Sequence, residues 1–444
     1  MPTDPVDYGT CEVAQALLAS GSGAVVRVVL ASDPSGARAL AASGATLDAR
    51  AESYVVTPSP DATYVVGRDP VGAMYGALDV AERLRDADGT IPPSSAWAAA
   101  PSVALRAANL FLVLPANGET TATWWFRDPG FWTAYLDMMA HARLDFLDLH
   151  AMYETASTLF PDALLYFGTS ASFPAVGVAP ADRATNVAVL QQVIAMAAVR
   201  GIQVGLMSYR SDTSPLADGT GPALADADLQ TYTREAVVDL ARKVPGLTRL
   251  GFRIGESGHD AAWYAATYVA GVQQAATGVQ VYTRTWGTSK PEVLSLAAAA
   301  GGSMLLEAKY NGEQFAAPYL IEGASFAGFG AYAYQSYLEP PAPYAFVFQV
   351  RAGGTHRIFR FADFERARRA ALSLAMSPRI AGLTFEAGHA YFPQRDFYHA
   401  PADVFSPWTF RRDELAYTLV GRLAYDPATP AARFRAILAA RVGT

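Results

Sequence analysis

Residues 250–283, LGFRIGESGHDAAWYAATYVAGVQQAATGVQVYT, contain one whole structural repeat. Leu250–Ile254 is an apolar run of strand length, Ala261–Ala276 has room for about four helical turns, and Val279–Thr283 is a second, β-branched run. Strand, helix and strand in that order read as a βαβ unit. Its two strands are parallel because the helix carries the chain back to the end of the sheet from which it started.

The same alternation extends in both directions. Strands are expected at Ala104–Leu114, Leu144–Leu149, Ile202–Met207, Ser303–Glu307, Ala345–Val350 and Ile380–Phe385, which with the two above makes eight. Helices fall between most of them, at Gly130–His141, Thr185–Arg200, Asp226–Lys243, Lys290–Ala300 and Asp363–Ser377. Eight βα repeats predict an α/β chain folded as a (β/α)8 TIM barrel. The seventh strand has a rival in His356–Phe359 (HRIF). Ahead of the barrel, Val25–Leu30, Ser53–Thr57 and Thr63–Val66 are short β-branched runs, and a helix follows with Met74, Leu78, Ala81 and Leu84 on one face. The expected division is a small α/β domain over 1–100, ending in the Pro- and Ser-rich connector DGTIPPSSAWAAAPS (88–102), a barrel over 101–405, and a helical tail over 406–444 broken at YDPATP (425–430).

Composition restricts function. Of 444 residues, 51% are hydrophobic and 17% charged, as in a folded chain with a large core. A net charge of -7 without long runs of one sign gives no footprint for nucleic acid or an anionic membrane, and no stretch of about 18 apolar residues occurs. Cys11 stands alone, which forbids an intrachain disulfide, and none of the six histidines forms an H-E-x-x-H pair. No metal and no cofactor are therefore expected. The start, MPTDPVDYGT, lacks the charged and apolar regions of a signal peptide, so a cytoplasmic protein is expected, with secretion open if a leader was trimmed. A homodimer is also left open.

In a barrel of this kind chemistry gathers where the strands end. The fourth strand runs into Arg253 and Glu256, with Gly255 and Gly258 beside them; the fifth ends at Arg284 and Trp286; the sixth ends at Lys309, Tyr310 and Glu313; the eighth ends at Glu386 and His389. His150 closes the second strand. Glu256, Glu313 and Glu386 are candidate catalytic carboxylates, because glycosidic cleavage needs one acid for the departing oxygen and one base or nucleophile opposite. Each also has a structural alternative as a rim carboxylate paired with arginine. Arg253, Arg284 and Lys309 suit a substrate that itself carries a carboxylate, and Lys309 is one of only three lysines, with Lys243 and Lys290, among 34 basic residues. Trp286, Tyr282, Tyr310, Tyr391 and Phe392 offer flat faces on which a sugar ring can stack, and Trp124 and Trp125 are either a further platform or packing. Ser257, His259 and Asp260 are too close in sequence for a nucleophilic triad and lack the G-x-S-x-G elbow.

With these residues in hand, YVVGRDPVGAMYGALDVAERL resembles the small α/β domain ahead of the barrel in α-glucuronidases and hexosaminidases. The barrel resembles α-glucuronidases of glycoside hydrolase family 67 through YLDMMAHARLDFLDLH, FRIGESG, YTRTWG, AKYNGEQF and LVGRLAYDP. The resemblance implies that Glu256 is the general acid and that Arg284, Lys309 and, where a lysine is usual, Arg253 hold a uronic carboxylate. The chain also departs from that pattern. An ungapped match sets Gln314 under the family's catalytic aspartate, with Glu313 adjacent and Glu322 as the nearest counterpart of its second acid. A Trp-Asp-Asn segment expected after the first strand is replaced by LPANGETTATWWFRD (114–128). A divergent hydrolase is expected, cleaving an α-linked uronic or other acidic sugar from an oligosaccharide by inversion. A non-catalytic carbohydrate-binding barrel and a hexosaminidase-type hydrolase are the alternatives.

Overall fold

The computed structural model describes residues 2–86, 91, 95–115, 124–153, 161–213, 223–255, 257–310, 334–351, 363–375, 377–391 and 408–442. Eight parallel strands close into a barrel: β5 (Leu105–Val113), β6 (Phe146–Tyr153), β7 (Gln203–Ser208), β8 (Leu247–Phe252), β9 (Gln280–Arg284), β10 (Met304–Lys309), β11 (Ala345–Arg351) and β12 (Ile380–Glu386). The last strand closes on the first with Gly382 opposite Leu105 and Glu386 opposite Asn109. All eight expected strands are present, and the seventh is Ala345–Arg351. HRIF lies outside the described residues. The fourth strand departs from expectation, starting at Leu247 and ending at Phe252, so Arg253 and Ile254 stand beyond the pairing rather than in it.

Alternation along each strand sorts the side chains. Leu110, Leu112, Leu147, Leu149, Phe346 and Phe348 turn outward into one large apolar core shared with the surrounding helices. Met207, Tyr282, Leu305 and Val347 form a separate small cluster inside the barrel. The helix after β8 runs Ala261–Tyr264, passes through a π-helical turn at Ala265–Val269 and ends at Ala275.

Before the barrel, a four-stranded sheet is ordered β1 (Val26–Leu30), β3 (Thr63–Gly67), β2 (Tyr54–Pro58), β4 (Trp97–Ala99), with β1 and β3 parallel and β2 antiparallel to both of its neighbours. Strand β4 falls inside the stretch expected to be a plain connector: Trp97 pairs with Val56 and its indole donates to Asp79, so tertiary partners override the Pro- and Ser-rich signal. The helix Pro70–Arg85 starts where the Asp69 carboxylate accepts from the Gly72 amide, and it is buried almost throughout. Its approach to the sheet requires Gly76, where a Cβ would lie 2.6 Å from Val65 Cγ1. Two helices unread in the sequence, Pro5–Ser20 and Pro34–Ser43, complete this region.

The tail consists of a 3-10 turn, Thr409–Asp413, and helices Glu414–Tyr425 and Ala431–Val442. Tyr425 returns to the first domain, its ring packed edge-on against Tyr75 and its hydroxyl donating to the Glu52 carbonyl at 2.6 Å. Among the described residues no helix is long and apolar enough to cross a membrane.

Candidate active site

Inward-facing positions near the C-terminal ends of the strands are polar where barrels of this kind usually carry branched apolar residues. From β6 come Asp148 and His150, two residues apart and so on one face; from β9 Arg284, from β10 Glu307, from β11 Gln349 and from β12 Glu386, all buried. Burying them requires partners, and the partners form a continuous network.

On one side the Asp148 carboxylate accepts from the Tyr282 hydroxyl at 2.7 Å and from Asn109 Nδ2 at 3.0 Å, with His150 Nε2 also at 3.0 Å. Burial pushes this carboxyl up, but His150 and the two hydrogen bonds outweigh it and hold the group below its ordinary value. Across the barrel Arg284 Nε lies 2.6 Å from Glu307 Oε1 and its Nη2 donates to Gln349 Oε1; Thr384 donates to Glu307 Oε2 at 2.7 Å. Gln349 in turn donates to Glu386 Oε2 at 3.2 Å, and Arg351 Nη2 lies 2.9 Å from Glu386 Oε1. One atom each from Asp148, His150 and Glu307 come within 4.8 Å of one another, the only such group of potential metal ligands among the described residues.

Nearer the mouth, two cations rest on aromatic faces. The Arg253 guanidinium lies 3.6 Å from the centre of the Tyr209 ring, and Lys309 Nζ 3.7 Å from that of Trp286, distances typical of cation–π contact. The Arg253 carbonyl accepts from Tyr264, on the helix that follows. The Tyr391 ring stacks on Phe111 at 3.9 Å, and Phe111 meets His150 edge-on at 5.1 Å.

The structure thus brings Arg253, Arg284, Trp286, Lys309, His150 and Glu386 to one end of the barrel. Glu256, Glu313, Gln314, Glu322 and Phe392 lie outside the described residues. Tyr310 is corrected: its ring is buried in the outer core, edge-on to Phe348, behind the barrel wall. Trp124 and Trp125 are likewise core residues, and the Trp124 indole donates to the Val113 carbonyl at 2.7 Å. Tyr282 lies deep, as the partner of Asp148. His259 does not approach an activated serine; its Nε2 bonds the Ser211 carbonyl at 2.9 Å and its ring stacks on Trp263.

Asn109, Asp148, Glu307, Gln349 and Arg351 were missed by reading only the residues after each apolar run. Their signal was a polar residue at every second position inside an apolar strand, as in Asp148-Leu149-His150, Glu307-Ala308-Lys309 and Gln349-Val350-Arg351.

No family model and no curated protein matches the chain. Among solved structures it is similar to a glycoside hydrolase family 138 enzyme targeting pectin rhamnogalacturonan II, with a TM-score of 0.74 and 18% identity over 97% of this chain. The match covers 51% of that enzyme, so the chain spans about half its length. It is also similar to a Bacteroides fragilis β-N-acetylhexosaminidase (TM-score 0.55, 12% identity, 95% of this chain and 91% of that one). A Streptomyces plicatus β-hexosaminidase in complex with its product GlcNAc gives a TM-score of 0.54 at 14% identity, over 97% of this chain and 87% of that one. These likenesses establish the barrel architecture that glycoside hydrolases use.

Proposed function

We propose that the protein is a glycoside hydrolase acting on an acidic, uronic-type sugar at the end of an oligosaccharide. The observation that carries this reading is the replacement of the apolar barrel filling by carboxylates and cationic side chains on one end, with Arg253 and Lys309 stacked on aromatic rings at the mouth. Cations held on rings are oriented before a ligand arrives, so less ordering entropy is lost when an anionic sugar binds. The fold-level likeness to glycoside hydrolases, and the narrower resemblance to α-glucuronidases in FRIGESG and YTRTWG, support the same reading.

In this scheme Glu256 protonates the departing glycosidic oxygen while Glu313 draws a proton from the attacking water, giving inversion. Glu386 is the second candidate base, at the end of the eighth strand with its oxygens against Arg351 and Gln349. Arg284 belongs to the wall behind the substrate, since Glu307 and Gln349 engage it.

The likeness to hexosaminidase structures over nearly the whole chain favours one second reading, hydrolysis of a terminal N-acetylhexosamine. The two readings separate on a panel of oligosaccharides capped by a uronic acid, an N-acetylhexosamine or a neutral hexose, with released sugar as the readout. Release confined to the uronic cap is expected. Release confined to the N-acetylhexosamine cap overturns the acidic-sugar reading, and no release from any cap overturns catalysis.

A further inference from the structure

We propose that His150 is a specificity-determining residue of the barrel site: it presents Nδ1 as the acceptor for one hydroxyl of the bound sugar, and Asp148 is the positioning residue that fixes it in that state. This role rests on the reading of this end of the barrel as a sugar site, and it gives the uncharged edge of the sugar a contact of its own. His150 is 1% exposed, its Nε2 lies 3.0 Å from Asp148 Oδ2, and its Nδ1 is buried without a hydrogen bond. Buried polar atoms without partners are rare because they are costly, and one that stands at the end of a barrel strand is where a ligand can complete it.

Asp148 decides what Nδ1 can do. Its Oδ1 accepts from the Tyr282 hydroxyl at 2.7 Å and its Oδ2 from Asn109 Nδ2 at 3.0 Å. Those two donors come from β9 and β5, on either side of the barrel, and they hold the carboxylate in place against His150. An ionised carboxylate only accepts, and this one is held below its ordinary value, so Nε2 carries the proton. In the neutral ring a lone pair is then left at Nδ1. Asp148 stands two residues before His150 on the same strand, so Nε2 points back down the barrel, and Nδ1, on the other side of the ring, faces the strand ends.

The surroundings suit the far edge of a sugar whose charged end is at the mouth. Phe111, paired with His150 across β5 and β6, meets the imidazole edge-on at 5.1 Å and carries the Tyr391 ring at 3.9 Å. Phe111, Val113 and Ala390 form a small apolar cluster against which Tyr209 packs, and Tyr209 is the ring on which Arg253 rests. A uronic sugar with its carboxylate on Arg253 therefore lies over this cluster with a hydroxyl directed at His150. That hydroxyl satisfies Nδ1 and fixes the rotation of the sugar ring. An analogue with hydrogen in its place leaves Nδ1 buried and unpaired, and a site built to bond a hydroxyl discriminates strongly against the ligand that lacks it.

The test combines binding with nitrogen-15 NMR of the intact protein carrying labelled histidine, and its probes are glucuronate, the 2-, 3- and 4-deoxy forms of glucuronate, and N-acetylglucosamine. The His150 signals, assigned by their loss in His150→Gln, are expected to show Nδ1 unprotonated and Nε2 protonated in the free protein. Saturating glucuronate should move the Nδ1 signal toward the protonated range, as for an acceptor that takes a hydrogen bond. One of the deoxy forms should bind at least about 10-fold more weakly than glucuronate and leave that signal in place. Asp148→Asn should let both tautomers populate, read as the two nitrogen signals moving toward each other, a change that a merely structural carboxylate would not produce. Both nitrogens protonated in the free protein, a Nδ1 signal unmoved by a sugar that binds, or equal affinity for glucuronate and all three deoxy forms overturns the proposal; the affinity series needs only the wild type, so misfolding of a variant leaves the test intact. Binding of N-acetylglucosamine and not of glucuronate, with the same shift at Nδ1, supports the role of His150 and overturns the acidic-sugar reading, whereas binding of neither sugar overturns both.

Discussion

The two ends of the barrel both bury charge, yet they do so differently. At the N-terminal end Arg106 is fully buried and every one of its donor groups is used: Nε reaches the Arg143 carbonyl at 2.7 Å, Nη1 the Val103 carbonyl at 2.8 Å, and Nη2 lies against Glu52 and, at 3.0 Å, Asp145. Nearby, Arg422 and Arg433 from the tail pair with Asp79, Glu82 and Asp86 of the helix Pro70–Arg85. A cleft of about 400 Å3 opens there, lined by Asp79, Arg83, Trp97, Arg422 and Arg433, but its charges are already spent on one another. At the C-terminal end the network stops short, leaving Asn109 Oδ1 and His150 Nδ1 without hydrogen bonds and two cations on aromatic rings. Saturated charge joins domains; incompletely saturated charge is what a ligand can complete.

The largest effect should come from attacking the saturated end. Arg106→Met strands Glu52 and Asp145 without their shared cation, and about 3–5 kcal/mol of stability should be lost, read as a lower denaturation midpoint in urea. A change below about 1 kcal/mol would mean that the N-terminal network does not hold the domains together.

The next expected loss is of activity. Glu256→Gln should lower turnover at least about 10²-fold on a substrate whose leaving group needs protonation, and much less on an activated one, with the urea midpoint unchanged. Equal losses on both substrates, or a shifted midpoint, would assign Glu256 to structure and blur the contrast between the ends.

Ligand-induced stabilisation sharpens the contrast next. Glucuronate at 100 times its dissociation constant should add about 2.7 kcal/mol, visible as a raised melting temperature that diminishes at high salt, whereas glucose should add little. Identical shifts with the two sugars would remove the role given to Arg253 and Lys309.

The smallest effect concerns Asp162, behind the mouth. Its Oδ1 accepts from the Leu164 amide at 2.9 Å and from the Ser208 hydroxyl at 2.7 Å, while Oδ2 is buried without a partner. Burial pushes this carboxyl up to about 7, against the pull of those two donors. A group bound to its proton more tightly when folded stabilises the protein fully below about pH 4 and loses that contribution as pH rises towards 7. Asp162→Asn should therefore gain on the wild type across that window and hold a constant margin above it. A flat difference from pH 4 to 8 would place the proton elsewhere.

His141 bounds the same question from the other end of the barrel. It sits between Glu82 at 3.3 Å and Glu12 at 3.5 Å; burial draws its pKa down, but the two carboxylates prevail and raise it.

Much of this molecule was legible along the chain. Repeated apolar runs separated by helix-length segments pointed to eight parallel strands, whose near-continuous apolar character is that of a sheet covered on both faces, as in a barrel. The positions of Arg253, Arg284, Trp286, Lys309 and Glu386 at one end followed from the same periodicity, since residues ending parallel strands share an end. What periodicity could not supply was partnership across the barrel. Asp148 meets Tyr282, Glu307 meets Arg284 and Thr384, and Glu386 meets Arg351 only because closure sets distant strands face to face. Tyr310 shows the same limit from the other side: one residue beyond Lys309, it turns into the outer core, and only the pleat of the folded strand decides which of two neighbours sees the pocket.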